Sequence, residues 1–394
     1  MPRPGMSSVP SVPPGFKFDK GKEESSMSVR AMVLLGDGSP PEPREFADPI
    51  LENGSVLLET LASEVCGTDV HLQHGRLSGV PYPIIPGHVS VGRVRETRGV
   101  ARDVEGDEIL PGEVVTFLDV HRTCGRCWYC LVAKASTRCP ERRVYGITYS
   151  AREGLLGGWS ERIVLLPGVQ IIKLPPSLPP EVFMAGGCGL PTALHAVQRG
   201  QVTFGDTVVV QGAGPVGLCA VVLAQLQGAS QVIVIGGPPA RLAMAGALGA
   251  DLTIDIGKHS PEERLRAIRD VTGGRGADVT IEAAGVPAAV GEGLHFTRDA
   301  GTLVVVGQYT DNGSVAINPH LAINRPHLRV LGCWGSDFSH LYRSVRVLAR
   351  HAERFPWLAM ITGRYSLQEA GVALAAAERQ ESIKSLILPN GPLG

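Results

Sequence analysis

Within six residues, Cys66-Gly67-Thr68-Asp69-Val70-His71 offers a thiol, a hydroxyl, a carboxylate and an imidazole. Two later positions complete a donor set, His88 in Pro86-Gly87-His88 and Cys188 in Gly187-Cys188-Gly189. Two thiolates and one imidazole neutralise a zinc ion and leave its fourth tetrahedral position open, as catalytic rather than structural zinc requires. Asp69 lies near enough in sequence to orient a ligating histidine and raise its basicity. Thr68 can place a hydroxyl beside the open position, and His71, which titrates near neutrality, can pass a proton to solvent. Taken singly, Cys66, His88 or Cys188 reads as ordinary core packing; the shared setting is what singles them out.

A second donor set is denser. Cys124-x2-Cys127-x2-Cys130-x8-Cys139 presents four thiols at the tight spacing of a closed, structural zinc site with four thiolate ligands. No apolar secretory core precedes the folded part, so the eight cysteines read as metal ligands rather than disulfides, with Cys219 and Cys333 left as small apolar residues.

A third chemistry is carried by Gly212-Ala213-Gly214-Pro215-Val216-Gly217. It follows a strand-like run, Thr207–Gln211, and opens a helical pattern to about Gln227, the context in which such glycines let a backbone approach a dinucleotide pyrophosphate. The next strand should end in a carboxylate that binds the adenosine ribose and repels a 2′-phosphate. Gly236 stands there instead, and Arg241 is the only cation close by, equally readable as a solvated helix-face residue. NAD and NADP therefore both stay open as the cofactor.

Around these motifs the chain divides by rhythm. Short strand-like runs punctuated by Gly and Pro, such as Ser55–Thr60 and Gly112–Phe117, predict a β-barrel domain. From about residue 181 the pattern becomes strand, turn and helix. Strands expected at Thr207–Gln211, Gln231–Gly236, Leu252–Asp255, Asp278–Ala283, Thr302–Val306 and Leu328–Leu331 predict a doubly wound parallel sheet. Helices around Phe338–His351 and Leu367–Arg379 and a strand at Ser382–Pro389 close the chain. Residues 1–28, rich in Pro, Ser, Gly and charge, read as a disordered extension. A formal charge of -1 gives no electrostatic reason to expect nucleic acid or an anionic membrane as partner. No apolar run approaches the roughly 20 residues of a membrane span. A cytoplasmic protein acting on a small molecule is expected.

The motifs Cys66-Gly67-Thr68-Asp69-x-His71, Pro86-Gly87-His88 and Gly187-Cys188-Gly189, in this order and followed by the glycine-rich turn, resemble those of the zinc-dependent medium-chain alcohol and polyol dehydrogenases. The resemblance runs from about Val29 to Pro389. It implies an α/β architecture: a GroES-like barrel catalytic domain over residues 29–189 and 334–394, carrying the structural zinc lobe at about 120–140, and a Rossmann domain over 190–333. It implies two zincs, with a proton relay from Thr68 through the cofactor ribose to His71. The implied reaction interconverts an alcohol and an aldehyde or ketone, with zinc as Lewis acid and hydride passing to or from NAD(P). Homodimers or homotetramers are implied too, joined near Ser314–Gly332.

By the same resemblance Thr192 lies against the nicotinamide, although a threonine there can simply cap a helix. Gly212, Gly214, Pro215, Val216 and Gly217 hold the dinucleotide, with Gly236 and Arg241 at its adenosine end and Lys384 reaching the pyrophosphate. Substrate-pocket positions fall at Val120, Trp159 and Gln308, with His121 and Arg122 nearby. If those basic groups face the cleft, a polar or anionic substrate is expected. One departure stands out: the family carries Gly-His-Glu where this chain has Gly87-His88-Val89, so a carboxylate near the zinc is missing and the site should tolerate an anion better. A zinc-free quinone reductase of the same superfamily would not need the three donors together. A non-catalytic nucleotide-binding structural or sensor protein would need only the glycine-rich turn and the four-cysteine lobe.

Overall fold

The run Val208-Val209-Val210 is fully buried on both faces, as a central parallel strand demands. In the computed structural model, which describes residues 28–393, that run forms the Thr207–Gln211 strand of a six-stranded, all-parallel sheet. The strand order is Leu252–Asp255, Gln231–Gly236, Thr207–Gln211, Ala277–Glu282, Thr297–Val305, Arg329–Gly332. The winding therefore reverses between Thr207–Gln211 and Ala277–Glu282, where a doubly wound sheet opens its ligand crevice. The extension expected over residues 1–28 lies, apart from Ser28, outside the described residues.

Gly212 ends the first strand of this sheet at φ 105°, and a Cβ there would stand 2.6 Å from the Ala283 carbonyl oxygen. Gly214 caps the helix Pro215–Leu226, with proline at its first turn, where the missing N–H costs nothing. At Gly217 a Cβ would lie 1.9 Å from the Gly212 oxygen, so helix and turn pack backbone to backbone.

A second sheet of seven strands forms the other body. Its path runs Ile361–Ser366, Lys384–Leu388, Val56–Val65, Ser90–Thr97, Val114–Phe117, Ile171–Lys173, with Arg162–Leu165 also paired to Val56–Val65. The carboxyl end of the long Val56–Val65 strand pairs with Ser385–Ile387 and delivers the chain to Cys66. Two differences from the expected elements are local. The fifth strand begins early, at Thr297, because the polar turn-like stretch Arg298-Asp299-Ala300 is carried within it with Ala300 at φ 60°. The helical pattern at Leu367–Arg379 divides into a 3-10 turn, Leu367–Glu369, and a helix, Ala370–Glu378. Among the described residues no helix is long and apolar enough to cross a membrane.

Candidate active site

Strand ends and helix starts position the first donor set. Cys66 follows strand Val56–Val65 and is the N-cap of the short helix Gly67–Gln73, whose third residue, Asp69, accepts the Cys66 backbone N–H at 2.9 Å. Cys188 is the N-cap of helix Gly189–Gly200. His88 is brought in by the turn after Pro86, and Gly146 packs so tightly against that turn that a Cβ would stand 2.8 Å from the His88 nitrogen. The two sulfurs and an imidazole nitrogen lie within 4.8 Å of one another. Burial alone would lower the basicity of His88, but Cys66, Asp69, Asp119 and Glu64 hold it in a negative environment that lifts its pKa to about 9. Two soft sulfurs, one imidazole and a negative potential suit a divalent zinc.

Asp69 is fully buried and electrostatically coupled to His88, yet its Oδ1 and His88 Nδ1 both lack a hydrogen-bond partner, so the expected direct bond between them is not made. A second carboxylate reaches the site from a position no motif marked. Glu64 accepts the Cys188 N–H on Oε2 at 2.8 Å, and its Oε1 stands 3.4 Å from Cys188 Sγ. The loss of a carboxylate at Val89 therefore does not leave the centre without one.

The donors sit in the wall of a cleft of about 560 Å³. The same cleft is lined by Thr68, His71, Thr192, Pro215, Val216 and the Ala283–Gly285 turn at the point where the sheet's winding reverses. Thr192 Oγ1 donates to the Cys188 carbonyl at 2.8 Å, bonding back along its helix from the cleft wall. His71 has Nε2 3.4 Å from Thr310 Oγ1. Burial, with Arg76 and His74 nearby, lowers its pKa and keeps the ring neutral at pH 7. Tyr309, whose hydroxyl meets Thr68 and whose pKa burial pushes up to about 12, stacks on Trp334 at 5.7 Å between ring centres. Neither aromatic was singled out from sequence. Each follows a parallel strand at its carboxyl end, which is the general address of a ligand in such sheets.

Several expected positions are corrected. Lys384, assigned to the pyrophosphate, is 1 % exposed and bonds Glu64 Oε1 at 2.6 Å, so it cannot meet a nucleotide. Arg241 is not a solvated helix-face residue: it is half-buried, with Nη2 donating to the Ser382 carbonyl at 2.7 Å and Nε without a partner. Trp159 is fully buried and donates Nε1 to the Glu64 carbonyl at 3.2 Å, away from the cleft. Val120, His121 and Arg122 line an adjoining cavity of about 840 Å³, which shares Leu118, Arg142 and Ser336 with the cleft but contains none of the donor thiols, and Gln308 lines neither space. The condition for an anionic substrate, basic groups at 121 and 122 facing the cleft, is thus not met. Phe117, Leu118, Ile147 and Leu341 form an apolar part of its lining, and its charged groups are of both signs, Arg76 and Arg142 with Asp119 and Glu378, Arg142 lying 5.5 Å over the Trp334 ring.

Gly236 does end strand Gln231–Gly236, in register with Asp255 on the neighbouring strand. A Cβ there would stand 2.9 Å from the Ala213 nitrogen, so the glycine-rich turn itself forbids a side chain at that point. The Asp255 carboxylate is occupied by its own turn, accepting the Gly257 N–H at 2.8 Å.

The second donor set also assembles. All four sulfurs of Cys124, Cys127, Cys130 and Cys139 lie within 4.8 Å of one another. Backbone N–H groups point at them, from Cys124 to Cys139 Sγ at 3.2 Å and from Cys127 to Cys124 Sγ at 3.3 Å. The Arg126 N–H and its neighbours bring the Cys124 thiol down to about 7. Such donors favour thiolate, the form that binds metal.

Two family models match the chain, an alcohol dehydrogenase GroES-like domain over residues 52–176 and a zinc-binding dehydrogenase over residues 215–350. The 5-exo-hydroxycamphor dehydrogenase of Pseudomonas putida is 35 % identical over 336 residues, covering 85 % of this chain and 91 % of that one. An alcohol dehydrogenase of Thermotoga maritima superposes with a TM-score of 0.88 at 38 % identity, over 92 % of this chain and 100 % of that one. A Sinorhizobium meliloti structure bound to NADP superposes with a TM-score of 0.81 at 30 % identity, over 92 % and 99 % of the two chains.

Proposed function

We propose the working of this site from the family to which the chain belongs, the zinc-dependent medium-chain alcohol and polyol dehydrogenases, oxidoreductases that interconvert an alcohol and an aldehyde or ketone. Zinc and NAD(P) are its cofactors and a small molecule is its substrate. The relatives give the non-catalytic reading no support.

In this reading Cys66, His88 and Cys188 hold the catalytic zinc, and Cys124, Cys127, Cys130 and Cys139 hold a structural one. The observation that carries it is that the three donors share one cleft with the turn at the sheet's reversal point. When bound, zinc supplies Lewis-acid polarisation of the substrate oxygen, and the nicotinamide accepts or supplies hydride. The protein's own part begins at Thr68, whose hydroxyl accepts the alcohol's proton as it releases its own toward His71. His71, neutral at pH 7, accepts that proton onward at the cleft mouth. Gly212, Gly214, Pro215, Val216 and Gly217 line the turn that faces the pyrophosphate, and Thr192 packs beside the nicotinamide. Lys384 is left out of this set.

The apolar wall of Phe117, Leu118, Ile147 and Leu341, with the Tyr309–Trp334 stack, selects an alcohol with an apolar body. The name of the Pseudomonas putida relative, a 5-exo-hydroxycamphor dehydrogenase, supports that choice. With Gly236 in place of a carboxylate and the neighbouring Asp255 carboxylate turned to the Gly257 N–H, no side chain at the end of Gln231–Gly236 is placed to bind the ribose hydroxyls, so NADP is accepted beside NAD. The division into a barrel body of residues 29–189 and 334–394 and a nucleotide body of 190–333 follows the two sheets. The chain works in the cytoplasm as a homodimer or homotetramer; the open edge strand Arg329–Gly332 and exposed Ile317, Leu321 and Val330 support the assembly. Metal analysis with a nicotinamide-absorbance screen of bulky alcohols and ketones tests the whole. Two zincs per chain with turnover is the expected result, and one zinc with nucleotide binding but no turnover would overturn it.

A further inference from the structure

Buried charges are rare unless they are paired, and the pair Glu64–Lys384 is buried more deeply than any other ion pair among the described residues, with side chains 1 % and 0 % exposed. Its placement is not incidental to the core. Glu64 lies on strand Val56–Val65, two residues before Cys66, and Lys384 opens the Lys384–Leu388 strand that pairs alongside it, with Glu64 in register with Leu386. Trp159 fixes the Glu64 backbone by donating to its carbonyl at 3.2 Å. One carboxylate oxygen then accepts the Cys188 N–H at 2.8 Å, and the other meets both Lys384 Nζ at 2.6 Å and Cys188 Sγ at 3.4 Å. Lys384 Nζ also reaches the Gly186 carbonyl at 3.5 Å, in the segment that leads into Cys188. The chain leaves room for this contact by using glycine at 187: a Cβ there would stand 2.1 Å from Glu64 Oε2 and 2.4 Å from Lys384 Nζ.

We propose that Glu64 and Lys384 are positioning residues for the catalytic metal, a buried couple that fixes the Cys188 main chain and sets the electrostatic potential at its sulfur. Glu64 is not itself in the ligand cluster formed by Cys66, His88 and Cys188. It acts through Cys188. A carboxylate this close to a thiolate would repel it, and the ammonium bonded to the same carboxylate oxygen offsets that repulsion. The couple thus gives a firm backbone anchor at near-zero net charge. This rests on Cys188 ligating zinc, as proposed above.

The test reads the metal rather than turnover. Cobalt(II) replaces zinc in the full-length protein, and the thiolate-to-cobalt charge-transfer band reports the energy of the sulfur electrons. Lys384→Met leaves an uncompensated carboxylate beside Cys188, raising those electrons and moving the band to longer wavelength. Glu64→Gln keeps an acceptor for the Cys188 N–H but leaves an uncompensated ammonium, moving the band to shorter wavelength. The double variant returns it toward the wild-type position. A purely structural role would not move the band in opposite directions. Each single variant is also expected to hold metal at this centre about 10–100-fold less tightly against a chelator, the range of affinity lost when groups behind a ligand are removed, with the four-cysteine centre unchanged. If Lys384→Met does not fold, Glu64→Gln, which preserves size, reads the shift alone. Folded variants with an unmoved band and wild-type metal affinity would overturn the proposal. Wild-type protein binding cobalt only at the four-cysteine lobe would overturn the metal-centre reading and this inference with it.

Discussion

Replacing Gly187 by alanine isolates the contact between the Glu64–Lys384 couple and the ligand loop. Gly187 has φ 45° and ψ -137°, a backbone that side chains rarely adopt. That alone costs about 1–3 kcal/mol. The new Cβ would also stand 2.1 Å from Glu64 Oε2, which must therefore move and give up the Cys188 N–H bond it now makes at 2.8 Å. A hydrogen bond to a charged group contributes about 1.5–3 kcal/mol, so the whole change is expected to destabilise by about 3–5 kcal/mol, a large share of a typical folding stability of about 5–15 kcal/mol. Gly205→Ala is the control, since Gly205 also has positive φ, 90°, but faces open space. Urea denaturation followed by tryptophan fluorescence should place Gly187→Ala below the control by about 2 kcal/mol, and metal analysis should find it depleted in one zinc per chain. Equal urea midpoints for the two variants, with both zincs retained in Gly187→Ala, would refute the reasoning.

Three further outcomes are expected. Cys124→Ser should remove the structural zinc and lower the temperature of irreversible unfolding while the protein that remains folded keeps its kcat, because the lobe's sulfurs line neither wall of the cleft; a kcat loss measured on folded protein would count against it. The His71 pKa is lowered by burial, so alcohol oxidation, which needs the neutral ring, should hold its rate down to pH values below the ordinary imidazole range and fall only there. His71→Gln should cut oxidation about 100-fold and abolish that acid limb, as a pH–rate profile would reveal. Gly237→Asp should suppress use of NADPH and spare NADH: a Cβ at Gly237 meets nothing nearer than 3.6 Å, whereas the preceding glycine is closed by Ala213, and unchanged cofactor ratios would show that the strand end does not face the 2′ position.

How much of this was legible in advance depends on whether the chemistry left a local pattern. The parallel sheet was readable because its strands, such as Val208–Val210 and Val232–Ile235, are unbroken apolar runs bounded by glycine, and three of the six expected strands match the structure residue for residue. The thiols and His88 were readable because ligand type and spacing are themselves the signal. The substrate wall was not. Tyr309 and Trp334 belong to loops whose contacts are set by how the barrel body closes over the sheet, and a single aromatic in a loop carries no period.

Lys384 shows the limit most clearly, and also the remedy. The resemblance to the family placed it at the pyrophosphate, where a basic side chain is expected. Its neighbours argued otherwise: Ser385-Leu386-Ile387-Leu388 is a strand buried at every position, and Glu64 interrupts an equally buried Ala62-Ser63-Glu64-Val65. A charge set into a run with no exposed face must find an opposite charge or pay several kcal/mol for its desolvation. Two opposite charges in two such runs therefore predict each other. Here that pairing brings the two strands together beside Cys188, so a rule about burial, applied before any rule about motifs, leads to the same centre that the cysteines mark.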